Sequence, residues 1–376
     1  MRKKKRFEGF AFLTVMFLLF AVGIRVASGE GFRNMAMSHI ARISENEELL
    51  KYAVSNETQL VKNVDNGKIF GFLASESSLI APGKNEDKVW EKNEKVREKL
   101  VVWEYTPGGV KKENTYPIEN ITISPTSDKG YVRLDNVWVK NDSTKGIDLK
   151  WLLSAKLPFK LSGEGPHVLI VHTHGSEAYF PQGKEEYALT DVERTSDKRY
   201  NMIRIGDELE KVLKNNGISV IHDRNIYDSP SYNGSYTRTL DAIGQALKKN
   251  PSIKVVVDVH RDAMTAADGT KYRTVANING KQYAQMMLVM STGESGLPHP
   301  DWAENLKLAV KLQDALATKY PTIMRPMNLR KERFNMHATK GSMLVEVGTS
   351  ANSVGEAIES IKVFGEELSK ILKTAK

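Results

Sequence analysis

Cysteine is absent from all 376 residues. Disulfides and thiolate metal ligands are therefore excluded, and any metal site has to be built from His, Asp and Glu. Zinc-finger spacing is missing too, as is any dense basic patch interleaved with aromatics. A formal net charge of +8 therefore carries no nucleic-acid-binding signature with it. Much of that charge sits in Arg2, Lys3, Lys4, Lys5 and Arg6, and the body is only mildly basic. There is no internal repeat and no low-complexity block. Apolar residues make up 40% of the chain, so disorder is not the default, and the length exceeds what one ordinary core needs.

What is present first is a basic cluster followed by the apolar run Phe10–Ile24. The run is short for a spanning helix and long for a signal-peptide core, and no clear A-x-A site follows it. The pattern predicts an uncleaved signal anchor over residues 1–28, with the basic end in the cytoplasm and the body outside the membrane. A cleaved signal peptide is the rival, and both export the body. Residues 29–155 divide into a polar, helix-leaning stalk and a small mixed region. The latter has short apolar runs such as Val101–Trp103 and Tyr131–Leu134, punctuated by Gly108, Gly109 and Pro125. Two Pro and two Gly in Leu157–Pro166 read as a linker, so residues 156–376 are expected to fold alone as the catalytic domain.

After that linker, strands and helices alternate. Val168–Val171 is a continuous apolar run, as in a strand buried on both faces. A helix is predicted from Asp197 to Asn215 and stopped by Gly217; a strand over Ile218–Ile221; a helix over Tyr236–Lys249; and a strand over Ile253–Val259. Strands at Met287–Met290 and Met343–Val347 enclose a helix near Trp302–Lys319. Ser353 and Glu356 form a capping box for the last helix. The alternation predicts an α/β domain with a mostly parallel sheet flanked by helices.

Ligands of such sheets bind beyond the carboxyl ends of the strands. The first strand ends in His172-Thr-His174-Gly-Ser-Glu177, the third in His260-Arg261-Asp262, and a late strand carries Glu346 just before Gly348. Two histidine-bearing strand ends, a carboxylate and a later Glu are the inventory of a catalytic zinc site. A single strand-end His is more often a hydrogen-bonding residue. Glu346 inside Leu344–Gly348 is different, because an acid within an apolar strand is costly unless paired or functional.

These segments resemble the stage II sporulation protein P family. The resemblance rests on His172–Glu177, Asp258-Val-His260-Arg-Asp262, Leu344–Gly348, Arg194-Thr-Ser-Asp197 with Tyr200-Asn201, and Tyr227–Gly234. It covers about residues 150–376. It implies an N-acetylmuramoyl-L-alanine amidase of forespore engulfment that uses Zn2+ on peptidoglycan, with endopeptidase activity also in the family. It also implies partners, the stage II sporulation proteins D and M, and an extracytoplasmic domain on a single-pass membrane anchor. The layout is similar to that of the wider zinc amidases, with Asp197 standing where their helix-start Glu does.

His260 is the safest ligand. His172 and His174 compete for the first imidazole; being two apart, they would share a side on an extended strand, and the following Gly175 favours His174. Glu177 and Asp197 compete for the carboxylate, with Glu177 slightly favoured and the other orienting a ligand histidine. Asp197 is equally a first-turn helix acid. Glu346 is the expected base. Arg261 is either an oxyanion or carboxylate clamp, or a salt-bridge partner of Asp262. Trp302 could stack on a sugar, although packing at a helix start is the better expectation. The rivals to an amidase are a stem-peptide peptidase, supported by His174-x-x-Glu177, and a non-catalytic wall-binding scaffold.

Overall fold

The computed structural model describes residues 115–375. The expected anchor over 1–28 and the stalk lie outside these residues. Among the described residues no helix is long and apolar enough to cross a membrane.

The elements in chain order are β1 (Thr115–Ile121), β2 (Val132–Leu134), β3 (Val137–Asn141), α1 (Leu149–Ser154), β4 (Val168–Val171), β5 (Glu186–Ala188), α2 (Met202–Asn215) and β6 (Val220–His222). There follow α3 (Ser235–Lys249), β7 (Val255–Asp262), β8 (Lys271–Ile278), β9 (Lys281–Ala284), β10 (Met286–Ser291), α4 (Trp302–Lys319), β11 (Met327–Arg330), β12 (Met343–Thr349) and α5 (Val354–Lys373). An eight-stranded sheet runs β2-β3-β11-β10-β12-β7-β4-β6. Five of its neighbour pairs are parallel; β2–β3 and β10–β12 are antiparallel. A second sheet, β5-β1-β8-β9, was not legible in the sequence.

Alternation along the central strands sorts side chains to two faces. Val168 and Ile170 of β4, with Val255, Val257 and Val259 of β7, join the main core under α1, α2, α4 and α5. Leu169, Val171 and Val256 join Ile243 of α3 in a smaller core on the other face. The last helix starts at the expected capping box: Ser353 accepts from Glu356 N, and Glu356 accepts from Ser353 N. Helix α2 begins five residues later than the sequence suggested. Asn201 is its extended N-cap and accepts from Ile203 N, so Asp197 lies in the preceding loop and not in a first helical turn.

The division expected at residue 155 is not a break in the structure. β3 pairs with β11, and β1 pairs with both β8 and β5. Val137, Val139, Leu149 and Leu152 are buried in the main core. Trp302 packs against the same core, in keeping with its expected structural role.

Candidate active site

β4, β7 and β12 lie side by side and run parallel, so their carboxyl ends meet at one edge. The loop after β4 is tightly braced there. Thr173 N and Oγ1 donate to Asp258 at 2.9 and 2.5 Å, and Ser176 N and Oγ donate to Asp228 at 3.1 and 2.6 Å. Arg194 bridges Asp228 at 2.6 Å and Glu177 at 3.4 Å. Thr195 N donates to Ser176 O, and Met202 N to Glu177 O. The Arg194–Asn201 and Tyr227–Gly234 segments therefore serve largely to hold the His172–Glu177 loop in place.

His174, Glu177, His260 and Glu346 come together at this edge. The His174 and His260 rings meet edge-on with centroids 5.3 Å apart. His260 Nδ1 lies 3.8 Å from Glu177 Oε2, while its Nε2 lies 2.8 Å from Asp258 Oδ1. Arg261 N donates to Glu177 Oε2 at 3.3 Å. Glu346 is the register neighbour of His260, and its Oε2 is buried without a hydrogen-bond partner. Tyr232 stacks on His174 at 4.3 Å and 9°, and Tyr236 meets it edge-on at 5.5 Å. Tyr232 is 45% exposed, so it stands at the mouth of the site.

The electrostatics divide the two histidines. Burial, then His260 and Arg194, lowers the His174 pKa to about 2. Burial also opposes charge on His260, but Asp258, Glu177 and Glu346 outweigh it and raise the pKa to about 9. Burial pushes the Glu346 carboxyl above the usual carboxylate range, against the pull of His260. Adjacent buried groups perturbed in opposite directions are the arrangement expected of a functional site.

The structure separates His172 from His174. β4 ends at Val171 and a turn follows, so the two-residue period of a strand stops before His174. His172 continues the facing of Val168 and Ile170, towards α2, where its Nε2 lies 2.8 Å from His222 Nε2. Asp197 is also outside the cluster: its carboxylate is held by the Arg199 guanidinium at 2.6 Å and is 35% exposed. Arg261 does not pair with the Asp262 carboxylate, which Arg325 holds at 2.7 Å. Its guanidinium donates to Ala178 O at 3.0 Å and Glu193 O at 2.7 Å, tying the loop to β7.

Sequence reasoning passed over Asp258. Like Glu346, Asp258 is an acid inside an apolar strand, and it lies two residues before His260 and so on the same face. A further trio, Asp207, Glu210 and His222, brings its ligand atoms within 4.8 Å of one another on the α2 side.

A mixed α/β domain with two histidines and two carboxylates gathered at adjoining strand ends is the class that fold and site define. The profile of the stage II sporulation protein P family matches residues 52–369, and the chain belongs to that family. Stage II sporulation protein P of Bacillus subtilis (strain 168) is 27% identical over 210 residues, covering 53% of this chain and 49% of that one. The chain thus spans about half the length of this relative. Among solved structures, the N-acetylmuramyl-L-alanine amidase Ami1 from Mycobacterium smegmatis is similar at 12% identity and a TM-score of 0.33, covering 57% of this chain and 98% of that one. The CwlD amidase from Clostridioides difficile, in complex with the GerS lipoprotein, is similar at 15% identity and a TM-score of 0.31, covering 56% and 95%.

Proposed function

We propose that this chain is a zinc-dependent peptidoglycan hydrolase of sporulation that cleaves the amide between N-acetylmuramic acid and L-alanine. The observation that carries this is the pairing of Glu346, its Oε2 buried and unbonded, with His260 beside it, and of His260 in turn with His174 and Glu177.

The donors fit zinc. They are two imidazoles and a carboxylate without thiolate, and Asp258 backs the far nitrogen of His260, as a carboxylate behind a ligand histidine does. His174, Glu177 and His260 would hold the ion. When bound, zinc supplies Lewis acidity, lowering the pKa of a coordinated water and polarising a carbonyl. Glu346 takes the proton of the attacking water and delivers it to the leaving amine. Arg261 positions Glu177 through its backbone N–H and holds the 177–194 loop through its guanidinium. Tyr232, stacked on His174 and with the Arg194 guanidinium 4.9 Å over its ring, leaves an exposed edge at the entrance.

The second reading, stem-peptide endopeptidase, is favoured by the spacing His174-x-x-Glu177. The apolar run Phe10–Ile24 supports a tether that leaves the domain outside the cytoplasmic membrane. Stage II sporulation proteins D and M are the proposed partners, on family grounds alone. Elemental analysis together with product identification from purified wall tests the proposal: bound zinc and release of intact stem peptides are expected.

A further inference from the structure

Helix α2 carries Asp207 and Glu210, three apart and hence on one face. Both point at His222, the last residue of β6. The His222 side chain has no solvent exposure; its Nδ1 lies 3.2 Å from Asp207 Oδ1 and 3.7 Å from Glu210 Oε2. That nitrogen is buried and has no hydrogen-bond partner.

His172 Nδ1 lies 3.0 Å from Val259 O, and a carbonyl only accepts, so His172 Nδ1 carries a hydrogen. His172 is fully buried, and in its neutral form a hydrogen on Nδ1 leaves Nε2 a bare lone pair. At 2.8 Å, His222 Nε2 must therefore be the donor. A neutral His222 is then left with a bare Nδ1 facing two carboxylates. Three electron-pair donors converge, and none of them supplies a hydrogen to another. The backbone is shaped for this cluster as well: a Cβ at Gly206 would lie 2.5 Å from the Nε2 of both His172 and His222.

The neighbouring cations do not resolve the conflict. Arg224 Nε donates to Asp207 at 2.7 Å, and its Nη2 to Glu210. Lys214 reaches Glu210 Oε1 at 2.6 Å. These satisfy the carboxylates but supply nothing to His222 Nδ1. Arg224 is 44% exposed, so its displacement into solvent would open the trio.

We propose that His222 Nδ1, Asp207 and Glu210 form a second divalent-cation site, of the zinc and cobalt class, on the α2 side of the sheet. An imidazole with two carboxylates suits such an ion. The site is separate from the four residues of the active-site recess. Its effect is structural: it fixes His222, through it His172, and so joins β6 and α2 to the start of the loop that bears His174. This assignment does not depend on the hydrolase reading.

The test is the zinc stoichiometry of the purified full-length chain, stripped with chelator and reloaded, measured by elemental analysis. One more equivalent is expected in the unaltered chain than in the double variant Asp207→Asn with Glu210→Gln. Both changed residues are partly exposed, so circular dichroism should show the fold intact. Arg224→Gln should keep that equivalent. His260→Ala should lose a different one, so the two sites fail independently. Equal stoichiometry in the unaltered chain and the double variant would overturn the proposal. So would nitrogen-15 NMR spectra of the zinc-loaded chain showing hydrogens on both ring nitrogens of His222. If Arg224→Gln also lost the ion, the effect would be general destabilisation and the assignment would fall.

Discussion

Glu346 of β12 and His260 of β7 are direct register neighbours across a parallel pair, so their side chains leave the sheet on one face. The sheet, and not a mobile loop, sets their separation. Glu346→Gln preserves shape and removes only the basic function. Turnover is expected to fall by about 10²–10⁴-fold with bound zinc unchanged. His260→Ala removes a proposed ligand, and zinc is expected to be lost with the activity. Metal content and dye release from labelled wall check both.

Glu177 and Asp197 separate in the same assay. Glu177 is held by Arg194 and by the Arg261 N–H, beside His260. Asp197 is held by Arg199 in a loop before α2. Glu177→Ala is expected to lose zinc, and Asp197→Ala to keep zinc and most activity. Loss of zinc from Asp197→Ala alone would reverse the assignment.

Truncation tests where the folding unit begins. A fragment starting near residue 160 lacks β1, β3 and the buried Val137, Val139, Leu149 and Leu152. Burial of four such side chains is worth roughly 6 kcal/mol or more, at ~1.5–3 kcal/mol each. That is comparable with the whole stability of a domain, about 5–15 kcal/mol. Residues 115–376 should give a cooperative urea transition; 160–376 should be soluble at best in a proteolytically fragile form.

The core of the fold was readable because β4 and β7 are continuous apolar runs and the later helices keep a clean period. Ser353 and Glu356 announced the last helix. The second sheet was hidden because β8, Lys271–Ile278, mixes Lys, Tyr, Arg and Thr with few apolar residues. His260 and Glu346 were legible because polar residues inside apolar strands stand out. His172 misled because a two-residue period was extended beyond the end of β4, where a turn reverses the facing of His174. Asp197 misled because the Asn201 cap, which starts α2 later, sits inside a polar stretch with several equally good cap residues.

Acid should destabilise the chelator-treated protein through its neutral buried histidines. The folded pKa of His172 is lowered to about 3 and that of His174 to about 2, from 6.5. The unfolded chain thus binds more protons below pH 6.5, so their contribution is full above that value and is lost as pH falls towards 3. His260, raised to about 9, acts in the opposite sense: its contribution is full below 6.5 and is lost as pH rises through 9. Melting temperature should drop on acidification below 6.5, and His172→Gln should make that drop shallower, as followed by circular dichroism.

The most direct test is mass spectrometry of the soluble products from purified peptidoglycan digested by the zinc-loaded protein, alone and with a lytic transglycosylase. The account predicts intact stem peptides with a free L-alanine amine, glycan carrying unsubstituted muramic acid, and neither from Glu346→Gln. Wall left uncut by folded, zinc-loaded protein, or cleavage confined to bonds within the stem peptide, would contradict it.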